Sequence, residues 1–150
     1  MRKWIEKLLT LSLIFSIHWI SACADEKEDI NRKIWKRVIF DLSLDGYRLY
    51  TEDRNMARLF SGIARLMIVD RCEEATLIVD TKGYVVKGNA CRAIPRLTDN
   101  YRILLECPDE IGAFFWMKGR PTIIFGRERL QRFGLQVEDE MKDYVEDLEQ

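Results

Sequence analysis

Histidine occurs once in this chain, at His18, and that removes more chemistry than any motif adds. Beyond residue 18 neither a Ser-His-Asp nor a Cys-His nucleophile arrangement can be built. The H-E-x-x-H zinc pair is missing too, and so is the usual general base near neutral pH. The glycines form neither G-x-G-x-x-G nor a P-loop, so no cofactor is expected. Cys23, Cys72, Cys91 and Cys107 carry the remaining sulfur chemistry. No C-x-x-C spacing joins them, which argues against a zinc ribbon or a thioredoxin-type centre. The enzyme-like set left is carboxylates at strand ends, Asp80 with Asp70 or Glu106, and no spacing among them is diagnostic.

Cations suggest a different chemistry. From Cys23 onward arginine outnumbers lysine 14 to 7, and its planar fork suits carboxylates and phosphates. Between residues 82 and 102 the chain carries Lys82, Lys87, Arg92, Arg96 and Arg102 against Asp99 alone. The run from Ala75 to Val79 reads as a strand ending at Asp80, and ligands of open α/β sheets lie beyond such carboxyl ends. Lys82, Lys87, Arg92 and Arg96 are therefore the candidate contacts for a small anionic ligand. The competing reading is that these charges keep a loop solvated.

The amino terminus predicts export. Arg2, Lys3 and Lys7 precede an uncharged run from Leu8 to Ile20, and the small residues Ser21-Ala22-Cys23-Ala24 follow. That order defines a secretory signal, and the run is shorter than the roughly 20 apolar residues a membrane span needs. Two processing routes are open. Ala22-Cys23-Ala24 fits cleavage before Asp25, whereas Ile20-Ser21-Ala22-Cys23 resembles a bacterial lipobox, which makes Cys23 a lipidated first residue anchored to the membrane. Ala24 after the cysteine resembles the outer-membrane sorting pattern. The expected organisation is a signal peptide at 1–22, a charged tether at 23–33 and one domain at 34–150, on the periplasmic face of the envelope. Disulfides persist in such a compartment. Three cysteines allow one bridge, and their order alone does not choose it. Cys72–Cys91 is the favoured pair, because Cys72 ends a strand and Cys91 sits in a Gly/Asn loop, leaving Cys107 reduced and buried.

Composition sets the class. Of the 150 residues 47 % are apolar and 11 % aromatic, enough for a true core. From Cys23 the net charge is −3, which speaks against nucleic-acid binding. Residues 34–44 alternate like a strand, although Ile30, Ile34, Val38 and Leu42 also fit a helix. Thr51-Glu52-Asp53 opens a helix along Met56, Leu59, Phe60 and Ile63. Leu66–Val69 reads as a buried strand and Tyr101–Cys107 as another. Gly112–Met117 and Pro121–Phe125 form a hairpin about Lys118-Gly119-Arg120, and Arg127–Phe133 is a short helix stopped by Gly134. Val137, Met141, Tyr144, Val145 and Leu148 stripe a terminal acidic helix. The fold class predicted is α/β: a small single-domain sandwich with a mixed sheet of about five strands, helices packed on it, a closing hairpin and a C-terminal amphipathic helix.

Two stretches carry a resemblance. Cys72-Glu-Glu-Ala-Thr-Leu-Ile-Val, and Gly112-Ala-Phe-Phe through Gly119-Arg-Pro-Thr-Ile-Ile-Phe to Gly134-Leu, resemble the second half of YfiR-like periplasmic regulator proteins. The resemblance implies a small α/β regulator that restrains a membrane-bound diguanylate cyclase. The region before Met56 departs from that family's aromatic-rich opening helix.

The function expected from the residues is an exported, non-catalytic ligand-binding or sensory module, taking a small anionic ligand or an envelope protein partner. The alternatives are an adaptor lipoprotein docking through its acidic C-terminal helix and, third, a carboxylate-based hydrolase.

Overall fold

The computed structural model describes residues 26–83 and 91–148; the signal segment with Cys23, and Lys87, lie outside the described residues. The chain divides into two compact units, Met1–Ile34 and Trp35–Gln150. In the first, residues 26–34, which take in most of the stretch expected to be a tether, are helical. Glu28–Arg32 at 2.9 Å and Asp29–Lys33 at 2.7 Å are i,i+4 ion pairs of the kind that support a solvated helix.

In the second unit this helix, α1 (26–40), continues with Trp35, Val38 and Ile39 buried. Residues 34–40 are thus helix rather than strand. An alternating strand that turned Val38 inward would have pointed Trp35 and Ile39 at water, whereas i, i+3, i+4 spacing buries all three. Asp45-Gly46, with Gly46 at φ 85°, turns the chain out of the α1 segment instead of closing a hairpin.

The remaining elements are β1 (Arg48–Tyr50), α2 (Arg54–Ser61), β2 (Met67–Ile68), a 3-10 turn at Cys72–Glu74, β3 (Leu77–Val79), β4 (Arg96–Thr98), α3 (Tyr101–Glu106), β5 (Glu110–Met117), β6 (Arg120–Gly126), α4 (Arg127–Arg132), a 3-10 segment at Asp139–Tyr144 and β7 (Val145–Glu146). The strands form one sheet in the order β2-β1-β3-β4-β5-β6-β7. The first five run parallel; β6 returns antiparallel to β5, and β7 lies parallel to β6. The α/β class holds, with seven strands in place of about five.

Three local expectations are corrected. Tyr101–Glu106 is helix, because the Asn100 side chain accepts from the Arg102 amide at 2.9 Å and caps a turn that buries Leu104. Residues 67–68 do pair, but at the sheet edge, where Met67 is 61 % exposed. The terminal amphipathic helix does not form. Val137 bridges to Leu42, the Glu138 amide donates to the Asp41 carbonyl at 2.9 Å, and the chain ends as a 3-10 turn and β7. Three of its acids pair within the domain, Glu140 with Arg37, Asp147 with Arg127 and Asp139 with Lys142.

Both sheet faces are covered. Trp35 of α1 packs edge-on against Phe60 of α2 at 5.6 Å and Phe114 of β5 at 5.4 Å. On the opposite face, two apolar clusters form. One is Ala75, Ile78 and Cys91 with Tyr50, Val69, Cys72 and Ile94 around them. The other is Leu104, Ala113 and Ile124 with Phe115 and Leu148.

Candidate functional site

Between those clusters the sheet face turns polar. Ile78 lies opposite Arg96 and Thr98 opposite Ala113, so alternation puts Asp80, Arg96 and Thr98 on the face that carries both clusters. Arg96 also lies opposite Glu110, next to a register shift between Arg96 and Leu97. All four polar residues are buried, and Arg96 and Glu110 are wholly so.

The hydrogen bonding of this seam is incomplete. Arg96 Nη2 donates to the Cys91 carbonyl at 3.2 Å. Its Nη1 stands 4.0 Å from Asp109 Oδ2, too far for a hydrogen bond. Among the described residues, Nε and Nη1 of Arg96 and both carboxyl oxygens of Glu110 are buried without a hydrogen-bond partner. Such a group ordinarily costs about 1–3 kcal/mol and is rare in a folded protein. Burial, with the Asp80 charge adding to it, pushes Glu110 up to about 8 despite the opposing charge of Arg96; Asp109 raises it further and Arg129 opposes. Glu110 is therefore protonated at neutral pH, next to a guanidinium with spare donors.

The carboxyl-end rim of the sheet is acidic but occupied. Asp80 Oδ1 accepts from the amides of Lys82 at 2.9 Å and Gly83 at 2.7 Å. Asp53 caps α2 by accepting from Asn55 and Met56, and takes a bond from the Thr81 hydroxyl at 3.1 Å. Burial raises its pKa, but these bonds and the Lys82 charge outweigh burial and leave it below the usual range. Asp99 is exposed, yet enough protein surrounds it for lost hydration, with the charges of Asp53 and Asp80, to raise its pKa.

Among the described residues, the candidates Lys82, Arg92 and Arg96 do not converge as the sequence suggested. β3 and β4 are parallel, so Lys82 follows the carboxyl end of β3 whereas Arg92 precedes the amino end of β4, at opposite rims. Lys82 and Arg92 are exposed, and Arg96 is a core residue rather than a loop cation. The carboxylate set fails as well. Asp80 is buried, Asp70 is exposed after the edge strand, and Glu106 is exposed and bound to Arg102 at 2.6 Å. Residues missed by the sequence are Glu110, Asp109 and Arg129. A signal for Glu110 existed: it is an acid directly before the apolar run 111–117.

The sulfur chemistry is clearer. Cys72 and Cys91 are joined in a disulfide with Cα atoms 5.9 Å apart. Glu73 lies near both sulfurs, but a disulfide offers a metal no thiolate. Cys107 is free and half-buried rather than buried. Burial, then the Glu110, Asp80 and Glu106 charges, raise its thiol pKa, with Arg96 opposing, which makes it a weak nucleophile.

A separate groove of about 750 Å³ opens by Ser43, Leu130, Gly134 and Val145, and Arg127, Lys142, Glu138 and Asp139 also line it. Its mixed charges favour no one sign of ligand. No known protein family and no curated protein matches this chain.

Proposed function

We propose that this protein is an exported, non-catalytic binding or regulatory module of the cell envelope, and that the Arg96–Glu110 seam is where it takes a polar ligand. The observation that carries the reading is the coexistence, among the described residues, of two unmatched donor atoms on Arg96 and two unmatched oxygens on a neighbouring Glu110. A carboxylate or phosphate would satisfy the guanidinium, and the neutral carboxyl of Glu110 would donate a hydrogen bond to the same anion. The disulfide is compatible with export. The resemblance to YfiR-like regulators points to the same class. Against catalysis stand the missing histidine after residue 18, the raised thiol of Cys107 and carboxylates already committed to loop amides.

Thermal-shift measurements of the purified protein against small carboxylates, phosphate, nucleotides and anionic sugars test this. At least one should raise the melting temperature, and Arg96→Met should abolish the rise. A panel without any shift would sink the reading. Lipidation is tested separately: intact mass should show an acylated chain beginning at Cys23, and Cys23→Ala should release the protein from membranes.

A further inference from the structure

The β5–β6 hairpin reaches past the rest of the sheet. Thr98, the last residue of β4, is level with Ala113, and β5 runs four residues further to Met117. At about 3.3 Å per residue the tip stands about 13 Å beyond the neighbouring strand. Residues 116–121 are all exposed. The turn is built from two left-handed residues, Lys118 at φ 50° and Gly119 at φ 76°. This is the two-residue geometry that matches strand twist and holds a hairpin rigid.

The tip is apolar on both sides. Trp116, 38 % exposed, stands across from Pro121. On the other side Met117 is 53 % exposed, two residues beyond Phe115, whose ring meets the half-exposed Tyr101 of α3 at 5.5 Å. Leu105, one helical turn after Tyr101, is exposed as well. Two cations, Lys118 and Arg120, sit among these side chains, and residues 111–127 contain no acid.

We propose that this hairpin tip inserts into the headgroup region of an anionic phospholipid surface. The rim acids Asp53, Asp80 and Asp99 do not forbid it. A separation of about 13 Å exceeds the Debye length of about 8 Å at physiological ionic strength. A flat protein partner would engage one side of the ribbon; a bilayer interface receives both. Tryptophan and tyrosine are favoured at that depth, and basic residues are drawn to anionic headgroups. The proposal is independent of the ligand reading of Arg96 and Glu110.

The test uses the full chain reconstituted with vesicles, with Trp4→Phe and Trp19→Phe introduced so that the buried Trp35 and the tip Trp116 are the reporters. With vesicles containing brominated phosphatidylglycerol, part of the tryptophan emission should be quenched and blue-shifted. A further Trp116→Phe change should remove that quenching, with the thermal melt unchanged. Lys118→Glu with Arg120→Glu should weaken the quenching at least several-fold, and brominated phosphatidylcholine vesicles should give little. Quenching that survives Trp116→Phe, or that is equal on the two lipids and indifferent to charge reversal, would overturn the proposal. So would Trp116 emission that stays unquenched on phosphatidylglycerol.

Discussion

The two apolar clusters on the seam face of the sheet are secured by different means. The one around Ile78 draws on a 3-10 turn and the irregular stretch 91–95, and a covalent bond between Cys72 and Cys91 holds them. The one around Leu104 is covered by α3, whose end is held by a single side chain. Arg129 Nη1 donates to the carbonyls of Leu104 at 2.6 Å, Cys107 at 3.1 Å and Glu110 at 2.9 Å. Helix ends leave carbonyls without intrahelical partners, and here an arginine from α4 supplies them. Segments without regular hydrogen bonding are stapled; a segment with it is capped. The polar seam lies between the two and relies on both, since Arg96 bonds the Cys91 carbonyl and Glu110 lends its carbonyl to Arg129.

Breaking the cap should cost most. Arg129→Met removes three charge-assisted bonds, and with non-additivity the expected loss is about 3–5 kcal/mol by urea denaturation. A loss under about 1 kcal/mol would show the cap to be ornamental. The staple comes next. Cys72 and Cys91 are 19 residues apart, and a loop of that size corresponds to about 3 kcal/mol. Cys72→Ala with Cys91→Ala should lose that amount, and reductant should do the same to the wild type while leaving the double variant unmoved.

The seam itself should respond to pH. The Glu110 pKa is raised to about 8 by burial and the Asp80 charge, so the folded state holds a proton that the unfolded chain releases near its ordinary value of 4.5. Stability from this group is complete below the unfolded value and is lost as pH rises through the folded one, on the order of a few kcal/mol in all. Glu110→Gln should flatten the fall in melting temperature between pH 5 and 8; an unchanged slope would assign it elsewhere. Smallest is Cys107→Ala, expected within about 1 kcal/mol of wild type because the residue is half-buried and unbridged. Ellman's reagent should react slowly with Cys107 at pH 8, since its raised pKa keeps it a thiol.

How much of this was legible depended on length. The β5–β6 hairpin could be read because two full apolar runs flank a short turn at Lys118-Gly119-Arg120, of which the structure draws Arg120 into β6. α4 and the Gly134 stop, at φ 65°, were legible for similar local reasons. α3, six residues long, is too short for a helical period to separate from a strand. The stripe from Val137 to Leu148 had the right period, but pairing of Val137 with Leu42 and of Val145 with Phe125 pulled it onto the sheet. Arg96 was singled out for its charge and misplaced in a loop, because β4 has only three residues. Glu110 falls between the strand read to Cys107 and the hairpin read from Gly112. Its significance comes from a neighbour 14 positions away across a parallel pair, which no local pattern records.

The outermost strands, β2 and β7, are two residues each. A sheet's free margins are where another chain can add itself by main-chain pairing, in signalling complexes and in fibres alike. Margins this brief offer only a rung or so, but β6 from Arg120 to Ile124 has no strand against its outer edge among the described residues. A chain that added itself by main-chain pairing would therefore find its longest template on the hairpin, not on β2 or β7.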